Sequence, residues 1–270
     1  MSALRLTPAR RVDTVAPSTS AAGGPAISVD GVTKVYGPRG SHTFALDRIS
    51  LDVAPGEFCC LVGASGCGKS TLLNLLAGLD TPATGSVAVH GRTSLMFQES
   101  ALFPWLSVRG NINLALRLAG VPKAERHDRA SELLHMVRLK GMGGKRPHEL
   151  SGGMRQRVAL ARALAQNASV LLMDEPFGAL DAITRDLLHD ELERVWQETG
   201  LSVVFVTHNV REAVRLGDRV LVLSSRPGRV VDEFRVDIPR PRRLDDTEVS
   251  SLSGTITDRL RQEVRRHGDA

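Results

Sequence analysis

Residues 63–70 have the types and spacing of a phosphate-binding loop. They read GASGCGKS and fit the pattern G-x-x-x-x-G-K-[ST] between an apolar run and a predicted helix. The glycines let successive backbone N–H groups turn inward around phosphate oxygens, and the helix adds the positive end of its dipole. Lys69 can reach the β- and γ-phosphates, and the Ser70 hydroxyl can ligate Mg²⁺. If the loop is not merely a glycine-rich connector, the predicted nucleotide contacts are Gly63, Ser65, Gly66, Cys67, Gly68, Lys69, Ser70 and Thr71.

Two acidic residues follow a second apolar run. Residues 170–173 read VLLM and lead directly into Asp174 and Glu175. A buried strand would place Asp174 near the Mg²⁺ that Ser70 binds. Glu175 could then hold and polarise the water that attacks the γ-phosphate. The alternative is a strand end with two solvated acids.

A third stretch could bind a second anion. Residues 150–156 read LSGGMRQ and open a predicted helix. Ser151, the amides of Gly152 and Gly153 and the helix dipole together suit a phosphate. Because the chain already has one phosphate loop, the second site makes sense if it serves the nucleotide of a partner copy. A two-fold dimer would then have two equivalent composite sites. The alternative is an ordinary serine N-cap.

Strands and helices in alternation must position these residues. Continuous apolar runs are typical of strands buried on both faces, and they lie at 58–62, 170–173, 203–206 and 220–223. Helices are predicted between or beside them at 69–77, 154–166, 182–199 and 211–216. This order predicts an α/β fold with a parallel sheet covered by helices on both faces.

Other regions depart from this alternation. We predict short strands at 27–29, 32–35 and 46–53, and a hairpin around Gly91 that joins strands at 86–90 and 94–97. Apolar residues from about 100 to 155 have helical spacing and predict a separate helical lobe. The composition of residues 1–25 indicates a disordered leader. Residues 237–270 are predicted to form a charged tail with a solvated helix from about 246 to 266.

Composition narrows the class of protein. The formal charge is +5, but the arginines are scattered and aromatic residues make up only 4% of the chain, which disfavours nucleic-acid binding. The three cysteines (Cys59, Cys60 and Cys67) lack CxxC spacing, which argues against a zinc site or a disulfide framework and favours a reducing cytoplasm. No apolar stretch approaches the ~18 residues that a transmembrane helix requires.

The motifs together resemble the ABC transporter ATPases, because residues 150–154 are similar to the family sequence LSGGQ, with Met154 in place of Gln. The resemblance covers about residues 27–229. It implies a P-loop NTPase (RecA-like) core with an N-terminal antiparallel β subdomain and an inserted helical subdomain. The ATPase domain would span 26–236, with the helical subdomain at about 100–155. The implied cofactors are ATP and Mg²⁺, and Glu175 would be the general base.

Four smaller features fit the same family. Tyr36 lies where these proteins carry an aromatic that stacks on adenine, and Gln98 resembles the glutamine that touches Mg²⁺ and the lytic water. Asp181 ends a GALD sequence that resembles the loop crossing the dimer interface. His208 resembles the histidine that contacts the γ-phosphate, although Asn209 follows it where Asp is commoner. Each could instead be a structural residue.

Three stretches are similar to the nitrate, sulfonate and taurine importers, and they lie at 97–106, 173–182 and 223–229. The implied protein is a peripheral subunit on the cytoplasmic face of the membrane. Its partners would be a second copy, two permease subunits and, indirectly, an extracytoplasmic solute-binding protein, with no nucleic acid. Phe103 and Trp105 would contact the permease, unless they belong to the core of the helical lobe. The alternatives are an ABC ATPase for another solute and a non-transport regulatory ABC ATPase.

Overall fold

The computed structural model describes residues 24–37 and 42–268. The nine strands of these residues are β1 (Ile27–Tyr36), β2 (Thr43–Val53), β3 (Phe58–Gly63), β4 (Thr84–Val89), β5 (Thr93–Met96), β6 (Val170–Asp174), β7 (Ser202–Thr207), β8 (Arg219–Leu223) and β9 (Val230–Arg235). Their α-helices are α1 (Lys69–Leu76), α2 (Val108–Leu118), α3 (Arg126–Met136), α4 (Gly152–Leu164), α5 (Ala182–Thr199), α6 (Val210–Leu216) and α7 (Thr247–Gly268). The predicted leader lies outside the described residues except for its last two.

The central sheet contains six strands in the order β5-β6-β7-β3-β8-β9. All neighbours are parallel except β8 and β9, which are antiparallel. Every residue of β3 and β7 is buried, which agrees with the apolar runs at 58–62 and 203–206. The predicted parallel core is therefore confirmed. The added edge strand β9 was not predicted, because its sequence VVDEFR mixes apolar and charged residues.

A second sheet has three antiparallel strands in the order β2-β1-β4. The two short strands predicted on either side of Gly31 are one strand, and Gly31 lies at a register shift with φ +55°. Glycine adopts this left-handed conformation without strain, so the chain bulges and continues instead of turning back.

The hairpin predicted around Gly91 is wrong. The strand before it, β4, pairs with β1 in the three-stranded sheet, and the strand after it, β5, pairs in parallel with β6 in the central sheet. Gly91 has a φ of +105° and turns the chain between two sheets. Alternation of apolar residues defines which face of a strand is buried, but it does not name the partner strand.

The predicted helical lobe is present as α2, α3, a short 3₁₀ turn at Pro147–Glu149 and the first part of α4. Ser107 caps α2 by accepting a hydrogen bond from the Gly110 amide at 3.0 Å. The buried Asn111 side chain bonds the backbone of Phe103 in both directions and so ties the segment after β5 to this lobe.

The C-terminal helix α7 is not the solvated helix that was predicted. Val249 and Ile256 on one of its faces are fully buried in the main core, and the helix packs on α6. The buried guanidinium of Arg242, just before α7, donates to the carbonyls of Val214 and Gly217 at 3.0 and 2.6 Å. A cation at these last carbonyls stabilises the C-terminal end of α6, because that end of a helix carries partial negative charge. The same bonds anchor the segment that leads into α7.

The three cysteines are buried free thiols. Cys59 and Cys60 lie on opposite faces of β3 and belong to different apolar clusters. Burial raises the pKa of Cys59 to about 12, so this thiol stays protonated at neutral pH.

Candidate nucleotide-binding and hydrolysis site

The phosphate loop joins the buried strand β3 to helix α1 at the carboxyl edge of the central sheet. Gly68 caps α1 with a φ of +101°. A Cβ at this position would lie 2.6 Å from Leu46 Cδ2 and 2.7 Å from the carbonyl oxygen of Ala45. Only glycine fits there, because any side chain would meet both a disfavoured backbone conformation and a fixed carbonyl.

Lys69 lies over this loop. Its side chain is buried, and Nζ donates to the carbonyl oxygens of Gly63 at 2.9 Å and Ala64 at 3.0 Å. Ser65, Gly66 and Ser70 are exposed, so the tip of the loop and the magnesium-binding hydroxyl predicted for Ser70 are accessible. Cys67 points inward, and burial raises its pKa although the ammonium of Lys69 acts in the opposite direction. Thr71 is the third residue of helix α1.

Asp174, the last residue of β6, lies beside the Ser70 hydroxyl. Burial raises the pKa of Asp174, and hydrogen bonding from Ser70 acts in the opposite direction. The sequence predicted that these two residues lie close together, and the structure places them side by side although β6 and β3 are not neighbouring strands. Two oxygen donors beside a phosphate loop are the ligand type that Mg²⁺ prefers.

Glu175 and His208 meet one residue beyond the ends of β6 and β7. His208 Nδ1 lies 2.8 Å from Glu175 Oε2. The Glu175 amide donates to the carbonyl of Val206 at 2.9 Å, and the residue has a φ of +43°. A non-glycine residue in this left-handed region is uncommon and is found most often where function constrains the backbone.

Gln98 lies next to this pair. A Cβ built on Gly178 would be 3.6 Å from Gln98 Nε2 and 3.9 Å from Glu175 Oε2, so the two side chains flank the same glycine. Gln98 is exposed, and its backbone carbonyl accepts a hydrogen bond from Gln156 Nε2 at 2.8 Å. The structure therefore brings the three predicted catalytic residues, Glu175, His208 and Gln98, to one edge of the sheet.

The second predicted anion site lies at the start of α4. Ser151 Oγ accepts a hydrogen bond from the Met154 amide at 3.3 Å and caps the helix. A Cβ on Gly153 would be 2.3 Å from Thr184 Cγ2, so the glycine allows close packing against the start of α5. Asp181 caps α5 by accepting from the Thr184 amide at 3.0 Å. Among the described residues no hydrogen bond joins Ser151 or Asp181 to the phosphate loop.

Tyr36 ends β1 and is 41% exposed. The phenol oxygen donates to Asp80 Oδ2 at 3.0 Å, and the Lys34 ammonium lies 5.1 Å from the ring centroid. Lys34 also pairs with Asp80 at 2.6 Å, and this hydrogen bond lowers the pKa of that carboxyl. The contacts fix the ring orientation but leave ring surface free for stacking.

Sequence reasoning missed Arg226 and Gly228 as neighbours of the phosphate loop. Arg226 Nε donates to the Gly66 carbonyl at 3.3 Å. A Cβ on Gly228 would lie 2.2 Å from the carbonyl oxygen of Cys67, so the two backbones are in direct contact. The signal was available: β8 is a buried parallel strand, so the turn after it reaches the same edge of the sheet as the loop, and Leu223 pairs with Gly63.

Comparisons with known proteins agree with this geometry. The model of the family described as ABC transporter matches residues 46–178. The chain is 45% identical to the taurine import ATP-binding protein of Rhizobium johnstonii, over 88% of this chain and 95% of the relative. It is 47% identical to the nitrate import ATP-binding protein of Synechocystis, over 79% and 83% of the two chains.

A solved structure shares the fold. It is described as a dimeric, post-hydrolysis state of the ATP-binding cassette MJ0796 bound to ADP and phosphate. It is 33% identical, has a TM-score of 0.70, and the match covers 79% of this chain and all of that one. In the described part of the present chain, no helix is long and apolar enough to cross a membrane.

The parallel sheet, the loop at 63–70 and the acids at the end of β6 define a P-loop nucleotide-binding ATPase. More specifically, the chain belongs to the ABC transporter family, as one of its ATP-binding proteins. These proteins are ATPases coupled to transport. The resemblance seen in the sequence is thereby confirmed.

Proposed function

We propose that this chain is the ATP-hydrolysing subunit of an ABC importer for a small anion of the taurine, sulfonate or nitrate type. The observation that supports hydrolysis most directly is the 2.8 Å contact between Glu175 and His208, at the sheet edge that also carries Lys69 and Asp174. Support for import and for the solute class comes from the relatives, which are named for taurine, nitrate and aliphatic sulfonate import.

The residues suggest how the reaction proceeds. Inward amides of the phosphate loop and Lys69 hold the β- and γ-phosphates, and the ring of Tyr36 stacks on adenine. Glu175 Oε accepts a proton from water while the water oxygen bonds to the γ-phosphorus and the bond to the ADP oxygen breaks. His208 contacts both Glu175 and the γ-phosphate, and Gln98 orients the water.

Oxygen donors near the phosphates fit Mg²⁺. Ser70, Asp174 and Gln98 supply a hydroxyl, a carboxylate and an amide oxygen, all hard ligands. In this proposal, oxygens of the nucleotide phosphates and water complete the shell around these protein ligands. Mg²⁺ would neutralise phosphate charge during transfer.

Hydrolysis requires a second copy in this proposal. Ser151 and the amides of Gly152 and Gly153 from one copy close on the γ-phosphate bound by the other, and Asp181 lies along the same interface. ATP makes contacts to both copies only in the closed state, so it shifts the equilibrium toward closure. The dimeric descriptions of the related structures support this arrangement.

An aromatic pair that follows Gln98 in the sequence suits a membrane partner. Trp105 is 68% exposed and its ring centroid lies 5.4 Å from that of Phe103. Large exposed aromatics are typical anchors of protein interfaces. We propose that two permease subunits dock here, which places the chain on the cytoplasmic face of the membrane, with an extracytoplasmic binding protein as an indirect partner.

The proposal is tested by uptake of labelled taurine, an alkanesulfonate and nitrate in cells that carry Lys69→Ala at the native locus. Loss of one uptake with the others intact would support import and name the solute. Survival of all three would exclude this solute class. A non-transport role would instead be indicated if the purified chain bound no permease and its hydrolysis rate responded to nucleic acid in a salt-sensitive manner.

A further inference from the structure

A buried chain of polar side chains lies directly behind the Glu175–His208 pair. Its members are His189 on α5, Glu212 and Arg215 on α6, and Thr207 at the end of β7. None is more than 7% exposed. Buried polar groups cost stability unless each finds a partner, so a connected set at this place needs a reason.

The hydrogen bonds in this chain have a defined direction. Arg215 donates to His189 Nδ1 at 3.0 Å, and a guanidinium has no acceptor. His189 Nδ1 must therefore accept, so the tautomer carries its proton on Nε2, which donates to Glu212 Oε1 at 2.5 Å. The other carboxylate oxygen of Glu212 accepts from the Thr207 hydroxyl.

The chain ends on the backbone that carries His208. Thr207 Oγ1 donates to Glu212 and also accepts from the Asn209 amide at 3.0 Å. Asn209 in turn caps α6 by accepting from the amides of Arg211 and Glu212. Residues on both sides of His208 are thereby held by Glu212, which leaves the imidazole itself exposed and facing Glu175.

The same chain also contacts the segment after Glu175. The ring of Phe177 packs edge-on against His189 with centroids 5.6 Å apart, and Phe177 is 2% exposed. The contacts therefore form a closed circuit. Phe177, two residues after Glu175, packs on His189, and His189 bonds to Glu212. Glu212 bonds to Thr207, which precedes His208, and His208 contacts Glu175. Both partners of the catalytic pair are supported by one buried group of residues.

We propose that Thr207, Glu212 and His189 are positioning residues for hydrolysis, which set the distance between His208 and Glu175. This inference rests on the proposed function, because it requires that Glu175 and His208 act in the hydrolytic step. A displacement of about 1 Å at such a pair can cost up to about a hundredfold in rate. The phosphate loop and Tyr36 lie outside the circuit, so affinity for ATP should be largely preserved when the circuit is broken.

The test compares Thr207→Val, which removes the hydroxyl at nearly constant shape, with Thr207→Ser, which keeps it. We measure steady-state ATP hydrolysis by the full chain, the affinity for ATP, and thermal unfolding. Thr207→Val should lower kcat about tenfold or more with ATP affinity within about twofold, and Thr207→Ser should restore most of the rate. Glu212→Gln should behave like Thr207→Val if it folds.

Two controls separate positioning from general damage. Glu193→Gln alters a buried carboxylate on α5 that lies outside the circuit and pairs with Arg240 at 3.0 Å. This variant should lower stability without lowering kcat. In a His208→Ala background, Thr207→Val should cause no further loss of kcat, because its effect passes through His208.

Equal losses of kcat for Thr207→Val and Thr207→Ser, or additive losses with His208→Ala, would overturn the inference. If Glu175→Gln and His208→Ala themselves hydrolysed ATP normally, the proposed function would fail instead.

Discussion

His208 Nδ1 lies 2.8 Å from Glu175 Oε2, although 33 residues separate the two in the chain. The contact exists because β6 and β7 are parallel neighbours, in which Asp174 pairs with Val206. Parallel strands end at the same edge of the sheet, so the residues that follow them meet. The left-handed backbone of Glu175 then turns its carboxylate toward the imidazole.

This contact predicts that Glu175→Gln separates binding from hydrolysis. The amide keeps the size of the side chain but cannot take a proton from water, so hydrolysis should fall about a hundredfold to ten-thousandfold. ATP affinity should be retained, and the closed dimer should accumulate because reopening depends on hydrolysis. Gel filtration with ATP at micromolar protein concentration measures this, and an ATP-bound monomer would contradict the composite site.

Gly68→Ala should abolish nucleotide binding, because a Cβ there would lie 2.7 Å from the Ala45 carbonyl oxygen in a backbone conformation that alanine disfavours. Gly78→Ala is the matched control: its φ is +68°, but nothing lies within 4 Å of the added Cβ. The control should lose only about 1–2 kcal/mol of unfolding free energy and bind ATP normally. Calorimetric titration and denaturant unfolding measure the two effects. Equal binding by both variants would show that the loop tolerates displacement at Gly68.

Arg226→Gln should weaken ATP binding by about three- to tenfold, because an exposed charge-assisted bond contributes about 1 kcal/mol. The Arg226 guanidinium donates to the carbonyl oxygen of Gly66 and so favours the loop conformation in which the backbone amides point inward. Arg229→Gln, on the same turn but paired with Asp47, should leave the affinity unchanged. Loss of affinity in both variants would indicate that the whole turn, and not the Arg226 contact, supports the loop.

Asp174→Asn should stabilise the folded chain at neutral pH while impairing hydrolysis. Burial raises the pKa of Asp174 from an ordinary value of 3.8, so the folded state holds this proton more tightly than the unfolded state. Its contribution to stability is present below the ordinary pKa and is lost as pH rises through the raised value. The melting temperature of Asp174→Asn, measured without nucleotide or Mg²⁺, should exceed that of the parent at about pH 7, and the difference should shrink toward pH 4. A constant difference across this range would assign the effect to another cause.

Local patterns in the sequence determined the phosphate loop, the acids at the end of β6 and the alternation of buried strands with helices. A loop such as GASGCGKS binds through its own backbone, so its identity is visible in eight consecutive residues. Helix α5 was predicted at about 182–199, the residues where it is found. In the structure Asp181 caps its start, and Gly200, with a φ of +66°, ends it.

Tertiary structure alone decided which elements became neighbours. The partners of β4 and β5, the burial of α7 on α6, and the approach of Arg226 to Gly66 all join segments that are far apart in the chain. Periodicity reports which face of an element is buried, but not against what. The circuit behind His208 has the same origin: His189 and Glu212 are ordinary helix residues in the sequence, and only the packing of α5 against α6 and β7 makes them one hydrogen-bonded group.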